Sequence, residues 1–193
     1  MRLYLPALLA LAVAGCASTP TVDVTRFHLG QPIPFDTITV VSASEKTLED
    51  QARLQAVGAE LARLGFRPIP DDGKSAYIAT LRAEQTSRAG APRGSPVNIG
   101  IGGGTRTGNV GIGGSVNVPV GGQRSGPRVF GNLVMLDIRR RSDEAIVWEG
   151  RALQEVPENS SMASLNQAVP ALARALLQDF PGPSGQMVRV PLK

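Results

Sequence analysis

One cysteine, one histidine and sixteen acidic residues are the side chains with which this chain could do chemistry, and their placement excludes most of it. His28 is the only histidine, so a multi-histidine zinc centre cannot be built. No serine stands in a G-x-S-x-G nucleophile elbow. Gly100 and Gly102 begin the spacing of a dinucleotide-binding turn, but the third position is Thr105. Gly73-Lys74-Ser75 ends like a phosphate-binding loop, yet Pro68 occupies the place of its first glycine. Carboxylate pairs remain. Asp71-Asp72 falls in a turn, while Asp23, Asp137, Glu149 and Glu155 fall on strands whose pairing a sequence does not reveal. His28 itself alternates along a strand and reads as a satisfied structural histidine. The expectation is a protein with no catalytic residue, no metal and no cofactor.

Cys16 is different in kind. It closes Leu11-Ala12-Val13-Ala14-Gly15-Cys16, at the end of an apolar run from Leu3 to Val13 that Arg2 precedes. That run is too short to span a bilayer, which takes about 20 residues as a helix, and it has the layout of a signal peptide. The segment resembles the lipobox of bacterial lipoproteins, in which cleavage before the cysteine is followed by acylation of the thiol and the new amino terminus. The resemblance implies Cys16 as a lipidation site and a palmitate-type acyl anchor. Ala17, where aspartate would favour inner-membrane retention, points to the outer membrane, with the domain on its periplasmic face. Two or three acyl chains, at ~0.8 kcal/mol per buried methylene, make such attachment effectively permanent.

The chain then divides into a signal peptide at 1–15, a lipidated tether at 16–21 and one globular domain at 22–190, with a glycine-rich insert at 94–124. With Cys16 used, no disulfide is possible and packing alone must hold the domain. The net charge is +4, and of twenty basic residues only Lys46, Lys74 and Lys193 are lysine. Arginine favours bidentate anion binding, but we read this bias as genomic composition and expect no nucleic-acid partner.

The elements follow from periodicity. Val22 to His28 and Thr37 to Ser42 read as strands, the first with weak sidedness. A helix begins at Thr47, whose spacing to Asp50 suits a capping box. Leu54, Val57, Leu61 and Leu64 then form its apolar stripe, leaving Arg53, Glu60 and Arg63 for solvent, and Gly65 suits the left-handed stop. Phe66 to Ile69 is a short strand, and Tyr77, Ala79, Leu81 and Ala83 line a longer one. In the insert, Val97, Ile99 and Ile101 stand at odd positions, whereas Val110, Ile112, Val116, Val118 and Val120 stand at even ones. That parity predicts a hairpin turning near Thr105 to Asn109. Arg128 to Arg140 reads as a central strand and Ile146 to Val156 as its partner, with Arg139-Arg140-Arg141 as a solvated edge. Leu165, Val169, Leu172, Leu176 and Phe180 mark a second helical stripe, in which Pro170 either starts a fresh helix or kinks a longer one, and Gln186 to Val190 mark a last strand. The expected fold is an α/β (α+β) two-layer sandwich. It has one mixed, mainly antiparallel sheet, two helices on one face and a projecting glycine-rich hairpin. Leu54, Val57, Leu61, Leu172 and Leu176 would be buried against Leu133 to Ile138 and Trp148.

Several motifs, in order, resemble one family: Val22-Asp23-Val24-Thr25-Arg26-Phe27, Leu61-Ala62-Arg63-Leu64-Gly65-Phe66, the glycine-rich insert, Trp148-Glu149-Gly150-Arg151-Ala152 and Phe180-Pro181-Gly182. They are similar to the bacterial lipoproteins gathered as domain of unknown function 4136. That resemblance implies a sheet with two helices and brings no activity and no catalytic residues. The expected function is a non-catalytic cell-envelope lipoprotein that binds or scaffolds a partner, through its lipid anchor at the membrane and through the hairpin toward an envelope protein or another copy. The alternative is a carboxylate-dependent envelope hydrolase. If acylation of Cys16 is the sole anchor, Cys16→Ser should give a folded, exported protein that no longer needs detergent. Fractionation checks this, and recovery of the variant with the membranes would refute it.

Overall fold

The computed structural model describes residues 20–44, 47–90, 98–101, 116–119 and 126–192. The signal peptide, Cys16, nearly all of the tether and most of the glycine-rich insert lie outside the described residues, as does the hairpin turn expected near Thr105 to Asn109. Among the described residues, no helix is long and apolar enough to cross a membrane.

The strands are β1 (Thr21–His28), β2 (Thr37–Ser42), β3 (Arg67–Pro68), β4 (Tyr77–Gly90), β5 (Asn98–Ile101), β6 (Val116–Pro119), β7 (Gly126–Arg140), β8 (Ile146–Pro157) and β9 (Met187–Pro191). The helices are α1 (Leu48–Leu64) and α2 (Leu165–Leu177), with a 3-10 turn at Ser161–Ala163. Seven strands form one sheet in the order β3-β2-β4-β7-β8-β1-β9. β2 is parallel to both β3 and β4, and the other pairings are antiparallel. β7 is therefore the middle strand, as its apolar run predicts. β5 and β6 form a separate antiparallel ladder that sets Ile99 opposite Val118 and Ile101 opposite Val116. This is the odd-against-even register that the parity of the insert requires.

α1 forms where its local signals put it. Thr47 Oγ1 accepts from the Asp50 N–H at 3.1 Å, and Asp50 reaches back to the Thr47 N–H at 3.4 Å and hydroxyl at 2.9 Å. The Thr47 bonds, with Arg53 alongside, hold the Asp50 carboxyl below its ordinary pKa. At the other end Gly65 takes φ 116°, and the N–H groups of Gly65 and Phe66 close on the carbonyls of Ala62 and Leu61. That is the paired closure of a Schellman stop. Pro170 lies inside α2 rather than before it, so one helix carries the second stripe as far as Leu177, and Phe180 lies beyond its end.

Both helices cover one face of the sheet. Val57, Leu61, Leu172 and Leu176 are fully buried with Val134, Leu136, Ile138 and Trp148. Several expectations are corrected. Leu54 is half-buried, and Leu133 and Met135 belong to the other face, which neither α1 nor α2 covers. Glu60 is only 8% exposed, because Arg174 of α2 donates to its Oε1 at 3.1 and 2.9 Å while Arg63 donates to its Oε2 at 2.7 Å. A carboxylate that receives a guanidinium across a helix–helix contact can be covered at tolerable cost. Simple alternation along Ile146 to Val156 would put Ile146 on the side of Trp148, Gly150 and Ala152, yet it is exposed, since the β7–β8 register slips between Ile138 and Arg139. Nor is the arginine run simply solvated. Arg141 bonds the Ser75 carbonyl and hydroxyl, and Arg140 pairs with Asp143 at 2.8 Å.

Beside the 3-10 turn the helix-covered face carries an amide row, with Gln85, Asn132 and Gln154 in register on β4, β7 and β8. Gln85 donates to Asn132, which donates to the Met162 carbonyl. The Gln154 side-chain amide is buried with no partner among the described residues. Leu61 sits deep in the core, so Leu61→Ala should lower stability by about 2 to 5 kcal/mol. An unchanged denaturation midpoint would contradict this packing.

Candidate functional site

Residues of three of the sequence motifs, Val22 to Phe27, Trp148 to Ala152 and Phe180 to Gly182, converge where β1 and β8 meet the end of α2. α2 stops without a glycine, at Gln178, followed by Asp179 at φ 57°. Its last carbonyls need donors. The Gln178 N–H takes that of Arg174 and the Phe180 N–H takes that of Leu177. Arg26 of β1 supplies the rest, donating to Leu176 at 2.8 Å, Ala175 at 3.0 Å and Gln178 at 2.9 Å. Arg26 is 3% exposed, and its guanidinium stands at the negative end of the helix dipole. Burial draws its pKa below the ordinary value, and Asp179 opposes that pull.

The chain leaving α2 is clasped by the same two strands. Trp148 Nε1 donates to the Pro181 carbonyl at 3.0 Å, and its ring lies 5.3 Å from that of Phe180. Phe66 joins Phe35, Tyr77 and Phe180 in one aromatic cluster with centroid spacings of 5.0, 5.9 and 5.9 Å. Gly150 is needed because a Cβ there would fall into the Trp148 ring and within 2.8 Å of Leu176. Gly182 is needed twice over, by its φ of 73° and by Arg26 Cδ, 2.8 Å from where its Cβ would stand. His28 accepts from the Gly30 N–H at Nδ1 and lies 2.8 Å from the Gly182 carbonyl at Nε2. These contacts fit a neutral ring that donates from Nε2, with both nitrogens engaged in structure. Arg26 is the residue that sequence reasoning missed. Its signal was its place in step with Val22 and Val24 on the inward side of β1.

The carboxylates are sorted by register. Asp23 pairs with Arg189 at 2.9 Å and Glu155 with Arg88 at 2.9 Å. Asp71 meets Arg141 at 3.3 Å and Asp72 meets Lys74 at 3.7 Å. Asp137 and Glu149 are set directly opposite each other on β7 and β8, on the face away from α1 and α2. Glu149 is held by Arg151 at 2.6 Å. Asp137 has its pKa raised, first by burial and then by Glu149, against the opposing pull of Arg82, Arg139 and Arg151. Neither acid lines any of the main clefts found among the described residues. No group of three or more metal-ligating side chains forms there either.

Those clefts lie at the margins of the sheet. A notch of about 90 Å³ is walled by Leu29, Ile33, Tyr77, Ile146 and Val147. It adjoins a cleft of about 430 Å³ between Pro34, Ser75, Arg140 and Arg141. Another of about 430 Å³ runs between Gly58, Ala59 and Ala62 of α1 and Pro68 to Pro70. All are shallow or small, and none contains His28 or a facing acid pair. Cys16, the one site residue expected from sequence, lies outside the described residues.

Asp137 gives a pH-dependent prediction. Its folded pKa is raised, so its contribution is most favourable below the ordinary aspartate range and is lost as pH rises through the folded value. Asp137→Asn should therefore stabilise the domain at neutral pH, and the gain should vanish below about pH 3. Denaturation across that range checks it, and a gain independent of pH would contradict the assignment.

Among known proteins, an uncharacterized protein of Zymomonas mobilis is 32% identical over 79 residues, covering 41% of this chain and 30% of that protein. The match thus spans less than a third of the relative's length. Among solved structures, the PelC dodecamer from Paraburkholderia phytofirmans is similar at a TM-score of 0.44 and 14% identity, over 81% of this chain and 94% of that one. A PDZ domain protein from Parabacteroides distasonis is similar at a TM-score of 0.49 and 11% identity, over 89% of this chain and 39% of that one. The family model of the domain of unknown function DUF4136 matches residues 27–182, a span that holds Trp148, Gly150 and the Phe180-Pro181-Gly182 turn. The chain belongs to that family.

Proposed function

We propose that this chain is a non-catalytic binding or scaffolding domain of the bacterial cell envelope, tethered to the periplasmic face of the outer membrane by acyl chains on Cys16. The lipobox-like segment supports the anchor. One observation carries the non-catalytic part: the sole histidine has both ring nitrogens in structural contacts with Gly30 and Gly182. Three of the motifs that mark the family, Val22 to Phe27, Trp148 to Ala152 and Phe180 to Gly182, are likewise spent on closing α2 against β1 and β8. The glycine-rich insert, whose apolar residues keep one parity within each arm, serves as the arm that meets an envelope protein or another copy.

The second reading, a carboxylate-dependent hydrolase, draws on Asp137 and Glu149 facing each other across β7 and β8. Hydrolases of that kind hold their two carboxyl groups on either side of a bound substrate. Here the pair shares the sheet face away from α1 and α2, and Glu149 is engaged by Arg151.

Crosslinking in intact cells, followed by identification of the adducts, tests the binding role. Replacing residues 94–122 by a short linker should keep the melting temperature within a few degrees, because a long insert adds little closure entropy to the remaining domain. The same change should abolish capture. Undiminished capture would reduce the insert to a spacer, and global unfolding would make it part of the core. Hydrolysis of an envelope glycan or ester that disappears in both Asp137→Asn and Glu149→Gln would favour the enzyme instead.

A further inference from the structure

β4 is longer than the strand beside it. β2 pairs with it only from Tyr77 to Leu81, whereas β7 accompanies it from Tyr77 to Gly90. The β2-side edge of residues 82–90 is therefore unpaired among the described residues. Residues 84–89 are exposed. An open strand edge is a template for another strand, and natural proteins usually blunt it with a bulge, a proline or a covering loop. Here the register stays regular up to Arg88. The Leu81 carbonyl bonds the Ala43 N–H and so faces the β2 side. By alternation the main-chain groups of Gln85 and Ser87 face the same open edge.

We propose that this edge pairs with the same edge of a second copy, antiparallel and centred on Thr86, so that two sheets join across a two-fold axis. The side chains select that register. About Thr86, Glu84 of each copy falls opposite Arg88 of the other, Gln85 falls opposite Ser87, and Thr86 meets Thr86. Opposite charges and threonine pairs are favourable directly across antiparallel strands. Centring on Gln85 would instead oppose Arg82 to Arg88, which like-charge repulsion disfavours. Gln85 and Ser87 form the hydrogen-bonded pairs, and Glu84, Thr86 and Arg88 the closer non-hydrogen-bonded ones. Within one chain Arg88 leans on Glu155, with side chains 60% and 54% exposed, an arrangement that leaves it available to a second carboxylate. A ribbon contact of this length is smaller than the ~1,200 Å² of stable interfaces, so the association is weak in dilute solution. It requires neither the acyl anchor nor the glycine-rich insert.

Single-cysteine crosslinking in the full chain carrying Cys16→Ser tests the register. Facing Thr86 residues would have Cα atoms about 4.5 Å apart, inside the window of roughly 4.4 to 6.8 Å that a disulfide accepts. The two Glu84 residues, four positions apart along the ribbon, would be about 13 Å apart at ~3.3 Å per residue. Under mild oxidation at high protein concentration Thr86→Cys should dimerise at least about tenfold faster than Glu84→Cys or Arg88→Cys, given that geometric window. A mixture of those two variants should give the mixed dimer. Arg88→Glu in the Thr86→Cys chain should suppress the crosslink, and adding Glu84→Arg should restore it, with melting curves confirming that each variant is folded. Equal crosslinking at all three positions, no crosslink at Thr86, or no rescue by the charge swap would overturn the proposal. So would adducts at Thr86→Cys that contain only a different protein when the same chain is oxidised in cells.

Discussion

The guanidinium of Arg26 is the contact on which the rest of this fold turns. α2 lacks the left-handed glycine that ends α1, and three carbonyls at its end, those of Ala175, Leu176 and Gln178, accept hydrogen bonds from one side chain of the sheet. In a buried setting each unpaired carbonyl would cost about 1 to 3 kcal/mol. The charge in turn is offset by those carbonyls and by the helix dipole, so neither partner is tolerable without the other. Because Arg26 lies on β1 and the carbonyls lie more than a hundred residues later, the contact joins the two ends of the chain across the sheet.

The neighbouring motif residues make that contact possible. Gly182 leaves room for the Arg26 side chain, and Gly150 leaves room for Trp148, whose indole holds the Pro181 carbonyl. His28 secures the same turn through Gly182. Residues of types often met in active sites are here committed to backbone carbonyls. Among the described residues, what stays open to others is a sheet face carrying Asp137 and Glu149 and a β4 edge that β2 leaves unpaired beyond Leu81. These features support the proposed binding role.

Much of this was legible in the residue pattern wherever the cause is local. The Thr47–Asp50 cap, the Gly65 stop, the alternation along β4 and the central rank of β7 each depend on neighbours a few positions away. Contacts made across the fold were not legible. Helical periodicity alone gives Glu60 to solvent because its partner Arg174 sits on another helix, and Arg26 reads as one side of a weakly sided strand because its acceptors belong to α2. Ile146 was misplaced by a register slip that no alternation rule anticipates. The facing of Asp137 and Glu149 likewise needs the strand register, which residue types on either strand do not encode.

Native-state hydrogen exchange, on the wild-type domain and on Arg26→Met, probes the Arg26 contact most directly. If the guanidinium binds α2 into the same cooperative unit as the sheet, amides of Ala173 to Leu177 should open with the same free energy as those of Val134 to Ile138. In the variant the α2 amides should exchange first, while the central strands remain protected. An α2 that already opens on its own in the wild type, or that keeps its protection when Arg26 is replaced, would contradict the account.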